Sequence, residues 1–257
     1  MTGEALYRLL EEKFSPTLSA AWDNDGAACL PVPEREVARV LVALDATDEA
    51  VERATDGGFD LLLTHHPLLF RGVKSLTPYD VVPAKLLKLV GAGVAALSYH
   101  TRLDAAEGGV NDALCDLFGI ENAVPFGPDG EVPCGRVGEL KVPVDAKEFA
   151  ATVCRLLGAD AVRLAGEGEV QKIAVLGGEG DDFVDAARAA GADLFLSGHI
   201  GYHRMLDAAE AGLVTIEAGH YETEYPVLAR LATTVKELAS DVEVEIMPTR
   251  VIETVLA

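Results

Sequence analysis

The chain has 257 residues and a formal net charge of −21 at pH 7, from 42 acidic and 21 basic side chains. Such an acidic surface repels nucleic acid and anionic lipid, so neither is expected as a partner. No apolar run approaches the roughly 20 residues that span a bilayer, and the polar, amphipathic N-terminus is unlike a signal peptide, so we expect a cytoplasmic protein. Acidity with few lysines is also typical of adaptation to high salt, and stability that rises steeply with KCl would support that hypothesis.

Apolar runs alternate with helical patterns along the first half of the chain. Strands are predicted in residues 38–46, 60–66 and 94–100. Helices are predicted between and after them, two of which end at glycines that act as helix stops. This alternation predicts an α/β fold with a mostly parallel sheet flanked by helices.

The second half of the chain begins with a break in this pattern. Residues 123–135 are rich in proline and glycine, so we predict a loop or a linker there. Strands are predicted beyond it in residues 136–143, 161–166 and 172–178. A helix with Asp145 as its cap is predicted between the first two of these strands.

A weak internal repeat relates the two halves. Residues 39–66 align without a gap on residues 172–199, which is an offset of 133 residues. Each copy reads strand, helix, strand and then a histidine, and each is followed by a helix and a strand that ends at His100 or His220. Duplication and convergence of two βαβ units both explain the match. Either way, four apolar strands end near histidines.

Two adjacent histidines, His65 and His66, follow one of these strands directly. Binding sites of parallel α/β sheets form at the carboxyl ends of the strands. Neighbouring side chains inside a strand face opposite ways, but Pro67 turns the chain away from regular structure and lets both rings reach one cavity. This arrangement suits two metal ions, and a pair of surface histidines is the alternative.

Carboxylates accompany the histidines in two later stretches. Asp104 lies in a predicted loop after His100, where a carboxylate can bridge two cations. His220 and Glu224 share one helix face if the helix begins at His220. Together with His65 and His66 they give three imidazoles and two carboxylates, a set that suits Zn²⁺, Mn²⁺, Fe²⁺ or Co²⁺. Two such ions about 3.5–4 Å apart hold a bridging water and lower its pKa, which is the chemistry of hydrolysis.

Four stretches resemble the Nif-three-like proteins, the GTP cyclohydrolase 1 type 2 homolog family. "LLTHHPLLF", "HTRLDAAEGGVNDAL" and "AGHYETE" resemble its three signature blocks, and "AAWDNDGAACL" resembles its N-terminal W-D-N-x-G stretch. The blocks span nearly the whole chain in the expected order. Carried over block by block, the family's metal ligands fall on His65, His66, Asp104, His220 and Glu224.

The resemblance also implies an architecture and an assembly. It implies two related α/β domains with mostly parallel sheets, and a dinuclear metal site at the strand carboxyl ends between them. We place the first domain in residues 1–125 with 215–257, and the second in residues 126–214. The implied assembly is a homo-oligomer, a hexameric ring whose sites face an inner cavity.

Some positions depart from the family pattern. Arg102 stands where the family often has asparagine, and we interpret it either as a cation for a substrate phosphate or as a surface arginine. His199 and Gly201 stand where the family usually has an acidic residue and a lysine, ahead of a histidine that matches His203. These changes leave the predicted ligands intact but leave the substrate open.

Two functions are compatible with these residues. The first is a dinuclear metal-dependent hydrolase, similar to GTP cyclohydrolase 1 type 2, in which metal-bound hydroxide attacks a nucleotide or phosphoester-like small molecule and His100 or His203 moves protons. The alternative is a non-catalytic metal-binding ring that stores or delivers metal or serves as a regulatory partner. An open coordination position would favour the enzyme, whereas saturation by protein ligands would favour storage.

Overall fold

The computed structural model describes residues 1–255 as two compact units. The first unit comprises Met1–Leu103 and Leu228–Val251, and the second is built on Asp104–Val227. Each unit contains one sheet flanked by helices. The predicted α/β fold with two sheets is therefore confirmed.

The regular elements follow one another in a mostly alternating order. In chain order they are α1 (Gly3–Lys13), β1 (Gly26–Cys29), β2 (Arg39–Ala43), α2 (Asp48–Asp56), β3 (Leu61–Thr64), α3 (Val81–Ala92), β4 (Ala95–Ser98), α4 (Thr101–Ala105), α5 (Val110–Phe118), β5 (Ile120–Phe126), β6 (Gly135–Asp145), α6 (Ala146–Leu157), β7 (Arg163–Ala165), β8 (Glu169–Glu179), α7 (Val184–Ala189), β9 (Leu194–His199), α8 (Tyr202–Glu210), β10 (Val214–Glu217), α9 (His220–Glu224), α10 (Val227–Leu238) and β11 (Glu243–Met247). Short 3-10 helices occupy Pro16–Leu18 and Asp181–Phe183.

The sheet of the first unit has the strand order β1-β4-β3-β2-β11. Its strands are parallel except for the edge strand β1, which runs antiparallel to β4. Every residue of β3 is buried, and α2 and α3 contribute to a core that also contains Leu41 and Leu62. Burial on both faces explains why this strand is a continuous apolar run rather than an alternating one.

The register of β3 and β4 brings the histidines of the first unit together. Leu61 lies opposite Ala95 and Thr64 lies opposite Ser98, so the two parallel strands end side by side. The residues that follow each strand leave the sheet at the same edge. The predicted convergence of the strand ends on histidines is thus confirmed for His65, His66 and His100 in the first unit.

The sheet of the second unit is mixed rather than mostly parallel. Its strand order is β5-β6-β8-β9-β10-β7, and only the β8–β9 and β9–β10 pairs are parallel. The three other pairs are antiparallel. Residues 127–134 join β5 to β6, and a connection of this length is too short for the crossover that parallel neighbours require.

The predicted loop at residues 123–135 is partly a strand. Residues 123–126 lie in β5, which pairs with β6 only and forms an edge of the sheet. An edge strand tolerates Pro125 because one side of the strand makes no ladder hydrogen bonds. The proline and glycine content therefore marks the turn after β5, not a linker between domains.

The boundaries of the two units differ from those of the predicted domains. Residues 104–125 and 215–227 were assigned to the first domain but belong to the second unit. The reason is strand pairing, since β5 pairs with β6 and β10 pairs with β9 and β7. Strand pairs between residues distant in sequence cannot be read from local composition.

The internal repeat has a structural counterpart. The strands of the two βαβ segments pair in the same register at the 133-residue offset: Val40 with Leu61, and Ile173 with Leu194. An aspartate before the second strand of each segment binds the start of the first strand. Asp60 Oδ2 accepts hydrogen bonds from the N–H groups of Ala38 and Arg39 at 2.8 and 3.0 Å.

The same pair of hydrogen bonds from backbone N–H groups to an aspartate occurs in the second unit. Asp193 Oδ2 accepts hydrogen bonds from the N–H groups of Gln171 and Lys172 at 3.0 and 2.8 Å. These three residues stand 133 positions after their counterparts in the first unit. The repeat is therefore a real structural one, and the segments can be compared position by position.

Two further features concern the cysteines and the membrane expectation. Cys29, Cys134 and Cys154 are free thiols, and burial raises the pKa of Cys134 to about 12. Among residues 1–255, none of the helices has the length and apolar character that crossing a bilayer requires.

Candidate metal centre

Three histidine rings meet at the carboxyl ends of β3 and β4 in the first unit. The ring centroids of His65 and His66 are 4.9 Å apart, and that of His100 lies 5.3 and 5.5 Å from them. One nitrogen of each ring lies within 4.8 Å of the other two. Three imidazoles at this spacing are able to hold a divalent cation.

The ring of His65 is held in one tautomer by the backbone. Its Nδ1 lies 2.9 Å from the carbonyl oxygen of Tyr99, and because a carbonyl oxygen only accepts, Nδ1 must donate. The lone pair is then on Nε2, which is the nitrogen that a metal ion would bind. His65 is fully buried, so this orientation is fixed by the surrounding sheet.

Carboxylates orient the other two rings. His66 Nδ1 lies 2.7 Å from Asp45 Oδ1, and His100 Nδ1 lies 3.0 Å from Asp23 Oδ1. Burial by itself would raise the pKa of Asp23, but hydrogen bonds from His100 and Thr101 outweigh burial and hold that pKa below its usual range. A carboxylate that accepts from one ring nitrogen fixes the tautomer and makes the other nitrogen a better ligand. Neither aspartate was predicted from the sequence.

Replacing Asp45 with asparagine is expected to weaken metal binding by about 10- to 100-fold, because the His66 ring loses its charged acceptor. The measurement is competition for Zn²⁺ against a chelator of known affinity. Asp48→Asn is the matched control, since Asp48 lies three residues further on with a side chain that is 82% exposed. Equal affinity of the two variants would contradict a role for Asp45 in orienting the ligand.

The second unit brings two carboxylates and a histidine together. Helix α9 begins at His220, so Glu224 lies one turn later on the same face, as predicted. His220 Nε2 lies 3.2 Å from Glu224 Oε1, and a carboxylate oxygen of Asp104 lies within 4.8 Å of one of Glu224. Asp104 is in the short helix α4 and not in a loop. The second unit thus supplies one imidazole and two carboxylates.

Glycines of β8 and β9 make room for α9. Gly178 has φ +71°, and a Cβ atom there would collide with the carboxylate of Glu224. A Cβ atom at Gly198 would lie 2.6 Å from Thr223 Oγ1 and 2.8 Å from the Cα of His220. Gly198 is the repeat counterpart of His65, so α9 occupies the space that a histidine fills in the first unit.

The Gly178→Ala variant is expected to lose about tenfold or more in metal affinity, because the new methyl group displaces the Glu224 carboxylate. Gly158→Ala is a matched control: Gly158 also has a positive φ, +65°, but nothing lies within 4 Å of its Cβ position. Both variants carry the backbone strain of about 1–2 kcal/mol. If both lose metal equally, strain alone explains the loss and the steric account fails.

Asn111 ties the segment that carries Asp104 to β8. It is fully buried, its Oδ1 accepts from the N–H of Gly177 at 2.8 Å, and its Nδ2 donates to the carbonyl oxygens of Asp104 and Cys134 at 3.2 and 2.9 Å. These three hydrogen bonds give Asn111 a structural role directly behind a candidate ligand.

Arg102 is neither a phosphate-binding cation nor a surface residue. It is only 4% exposed, and its Nη2 lies 2.6 Å from Asp25 Oδ1. Its Nη1 lies 3.0 Å from Glu11 Oε1 and donates to the carbonyl oxygen of Phe14 at 3.0 Å. Both predicted roles for Arg102 were wrong, because its guanidinium is buried inside the first unit and bound to three acceptors.

His203, the second predicted proton carrier, lies in α8 and is exposed. Its ring centroid is 5.2 Å from that of Tyr202. As far as the chain is described, the groups that are able to hold a metal ion do not include it. His199 is half exposed and lies 3.7 Å from Glu217. A catalytic role for His203 stays a prediction.

Comparisons with known proteins find relatives of similar sequence and similar fold. A Clostridium perfringens protein named GTP cyclohydrolase 1 type 2 homolog is 35% identical over 246 residues, 93% of each chain. A Streptomyces coelicolor protein of the same name is 37% identical over 216 residues, 80% of this chain and 75% of the relative. The crystal structure of a Staphylococcus aureus protein has a TM-score of 0.89 at 26% identity, covering 100% of this chain and 99% of that one.

A family model covers almost the entire sequence. The model described as Duf34/NIF3 (NGG1p interacting factor 3) matches residues 1–254. The resemblance that rests on the four sequence stretches is therefore confirmed. The motifs, the two-sheet fold and the full-length match together show that this chain belongs to the Duf34/NIF3 family.

Proposed function

We propose that this chain is a metal-dependent hydrolase that acts on a nucleotide or phosphoester-like small molecule. The observation that carries the proposal is the cluster of three histidines whose Nδ1 atoms each have a fixed acceptor. Such preorganisation suits metal ligands and a proton carrier alike, because ring rotation no longer competes with either role. The names of the Clostridium and Streptomyces relatives make GTP the first substrate to test.

We take the ligands of both units to serve one dinuclear centre, as the family resemblance suggests. They are His65, His66, Asp104, His220 and Glu224. The donor chemistry fits, since neutral imidazoles and carboxylates without a thiolate suit Zn²⁺, Mn²⁺, Fe²⁺ or Co²⁺. Two divalent ions held by these residues would supply the Lewis acidity that lowers the pKa of a coordinated water.

Among the chain's own residues, His100 is the one to which we assign proton transfer. Asp23 holds its Nδ1, so Nε2 is the atom that accepts and returns a proton. The His100 side chain is less than one fifth exposed, which keeps the ring accessible to a small molecule while its partner Asp23 is buried. His203 is retained as a second candidate on the sequence resemblance alone.

The test is turnover of GTP and of a panel of phosphoesters by untagged, metal-loaded protein, measured as release of formate and of phosphate. We expect turnover that a chelator abolishes and added metal restores. His100→Ala is expected to lower it by about 100-fold or more with metal retained, and His199→Ala to leave it unchanged. Loss of metal in His100→Ala would instead identify His100 as a ligand.

The alternative function predicts a different result from the same assay. Metal bound by the wild-type protein without turnover of any of these substrates would contradict the hydrolase. That result would favour a ring that stores or delivers metal. The assay therefore separates the two functions without knowledge of the native metal.

Assembly and location are further parts of the proposal. The family resemblance supports a homohexameric ring, and light scattering that gives a monomer at working concentration would contradict it. Free cysteines and the charge of −21 support a cytoplasmic protein that binds small molecules, without nucleic acid or membrane partners.

A further inference from the structure

We infer that Trp22 and Phe70 form a subsite for a planar heteroaromatic ring beside His100. Trp22 is 61% exposed and Phe70 is 45% exposed. Their ring centroids are 6.1 Å apart, and each lies 6.2 Å from the His100 centroid. Two exposed aromatic rings thus border the candidate proton carrier of the first unit.

The rings meet edge to face and do not stack on one another. The interplanar angles are 67° for Trp22 with Phe70, 73° for Trp22 with His100 and 82° for Phe70 with His100. A planar ligand can therefore stack on one ring while its edge meets another, and both arrangements are favourable for aromatic pairs. The geometry suits a flat ring better than an aliphatic chain.

The loop that carries Trp22 is held firmly on both sides. On one side, Thr101 Oγ1 accepts from the N–H of Ala20 at 2.9 Å and donates to Asp23 Oδ2 at 2.6 Å. On the other side, the Asn24 side chain donates to the carbonyl oxygen of Leu69, next to Phe70. The exposed indole is thus displayed by an anchored loop beside the exposed Phe70 ring, and neighbouring exposed apolar side chains mark a candidate interaction site.

The surroundings favour a nucleobase-like ring as the occupant. Aromatic side chains stack on nucleobases of any kind because every base has a π face. The subsite adjoins the histidine cluster, so a ring bound there places the rest of a nucleotide near the candidate ligands of the first unit. This inference rests on the proposed function, since it names the part of the substrate that the hydrolase would bind at this subsite.

The single tryptophan of the chain makes the test specific. Trp22 emission from metal-loaded protein is titrated with guanosine 5′-monophosphate and, separately, with ribose 5-phosphate, which lacks only the base. We expect saturable quenching by the nucleotide and none by the sugar phosphate. Both probes carry a phosphate, so contact between phosphate and metal cannot produce the difference.

Variants separate stacking from general surface effects. Phe70→Ala keeps the reporter and is expected to weaken binding of guanosine 5′-monophosphate between about fivefold and a hundredfold. Tyr79→Ala removes an aromatic ring that is 90% exposed and is expected to leave binding unchanged. By calorimetry, Trp22→Phe should retain binding and Trp22→Ala should weaken it to the same extent as Phe70→Ala.

Three results would overturn the subsite: equal responses to the two probes, unchanged affinity in Phe70→Ala, or emission that depends on protein concentration and not on nucleotide. The last would show that a second copy of the chain covers these rings. Nucleotide binding without turnover would support the subsite and contradict the hydrolase function. Turnover without response to guanosine 5′-monophosphate would do the reverse, so the two proposals fail separately.

Discussion

The His65→Ala/His66→Ala double variant is expected to lose its bound metal and all turnover. Two of the three imidazoles of the first unit disappear, and both are held in ligand tautomers by fixed partners in the native protein. Loss of an orienting partner alone weakens metal binding by about 10- to 100-fold, so loss of two ligands should exceed that. Elemental analysis after dialysis measures the metal that each protein retains.

The internal repeat supplies the control for this experiment. His199 is the counterpart of His66 at the 133-residue offset, but it is half exposed and lies near Glu217. His199→Ala should therefore retain metal at the wild-type level. Equal loss in both proteins, or full retention in the double variant, would contradict the assignment of His65 and His66.

The Arg102→Ala variant is expected to lower the free energy of unfolding by about 3–5 kcal/mol, because it leaves buried carboxylate charge uncompensated. Asp25 is the buried partner at 2.6 Å, and Glu11 and the Phe14 carbonyl oxygen lose a donor as well. For a chain of this size the melting temperature should fall by on the order of 10 °C. Thermal and urea unfolding measure the change.

An exposed ion pair provides the comparison for Arg102. Arg8 lies 2.5 Å from Glu4 on the surface of α1, and Arg8→Ala should change the free energy of unfolding by less than about 1 kcal/mol. If Arg102→Ala is as mild as Arg8→Ala while substrate affinity falls, Arg102 acts on substrate after all and its structural assignment is wrong.

The parts of the candidate centre that the sequence predicts are those that depend on local pattern. An apolar strand followed at once by His65 and His66 puts both at a carboxyl end of the sheet, and parallel pairing adds His100 from the next strand. His220 and Glu224 follow from the spacing of one helical turn. These inferences need only the periodicity of the elements and the direction of the strands.

The residues that orient these ligands depend on tertiary contacts. Asp23 meets His100 across 77 positions of sequence, and Asp45 meets His66 across 21. One retrospective signal is that Asp45 lies just beyond β2, whose carboxyl end adjoins that of β3. Arg102 was misjudged for the same reason, since only the folded chain shows that Asp25 and Glu11 enclose it.

The second sheet was predicted less well because its pairing is not local. The proline and glycine around residues 123–135 suggested a loop, yet β5 forms an edge strand there. The repeat was more informative, because Asp60 and Asp193 bind equivalent N–H groups in the two units. Gly198 stands at the position that corresponds to His65, so the second segment has one histidine, His199, where the first has two adjacent candidate ligands.

Elemental analysis of the untagged wild-type protein, after reconstitution and dialysis, measures whether the histidine and carboxylate clusters hold a dinuclear centre. We expect about two divalent ions per chain, as a dinuclear hydrolytic centre requires. A protein that holds no metal under these conditions would contradict the assignment of the histidine and carboxylate clusters, and with it the proposed hydrolase.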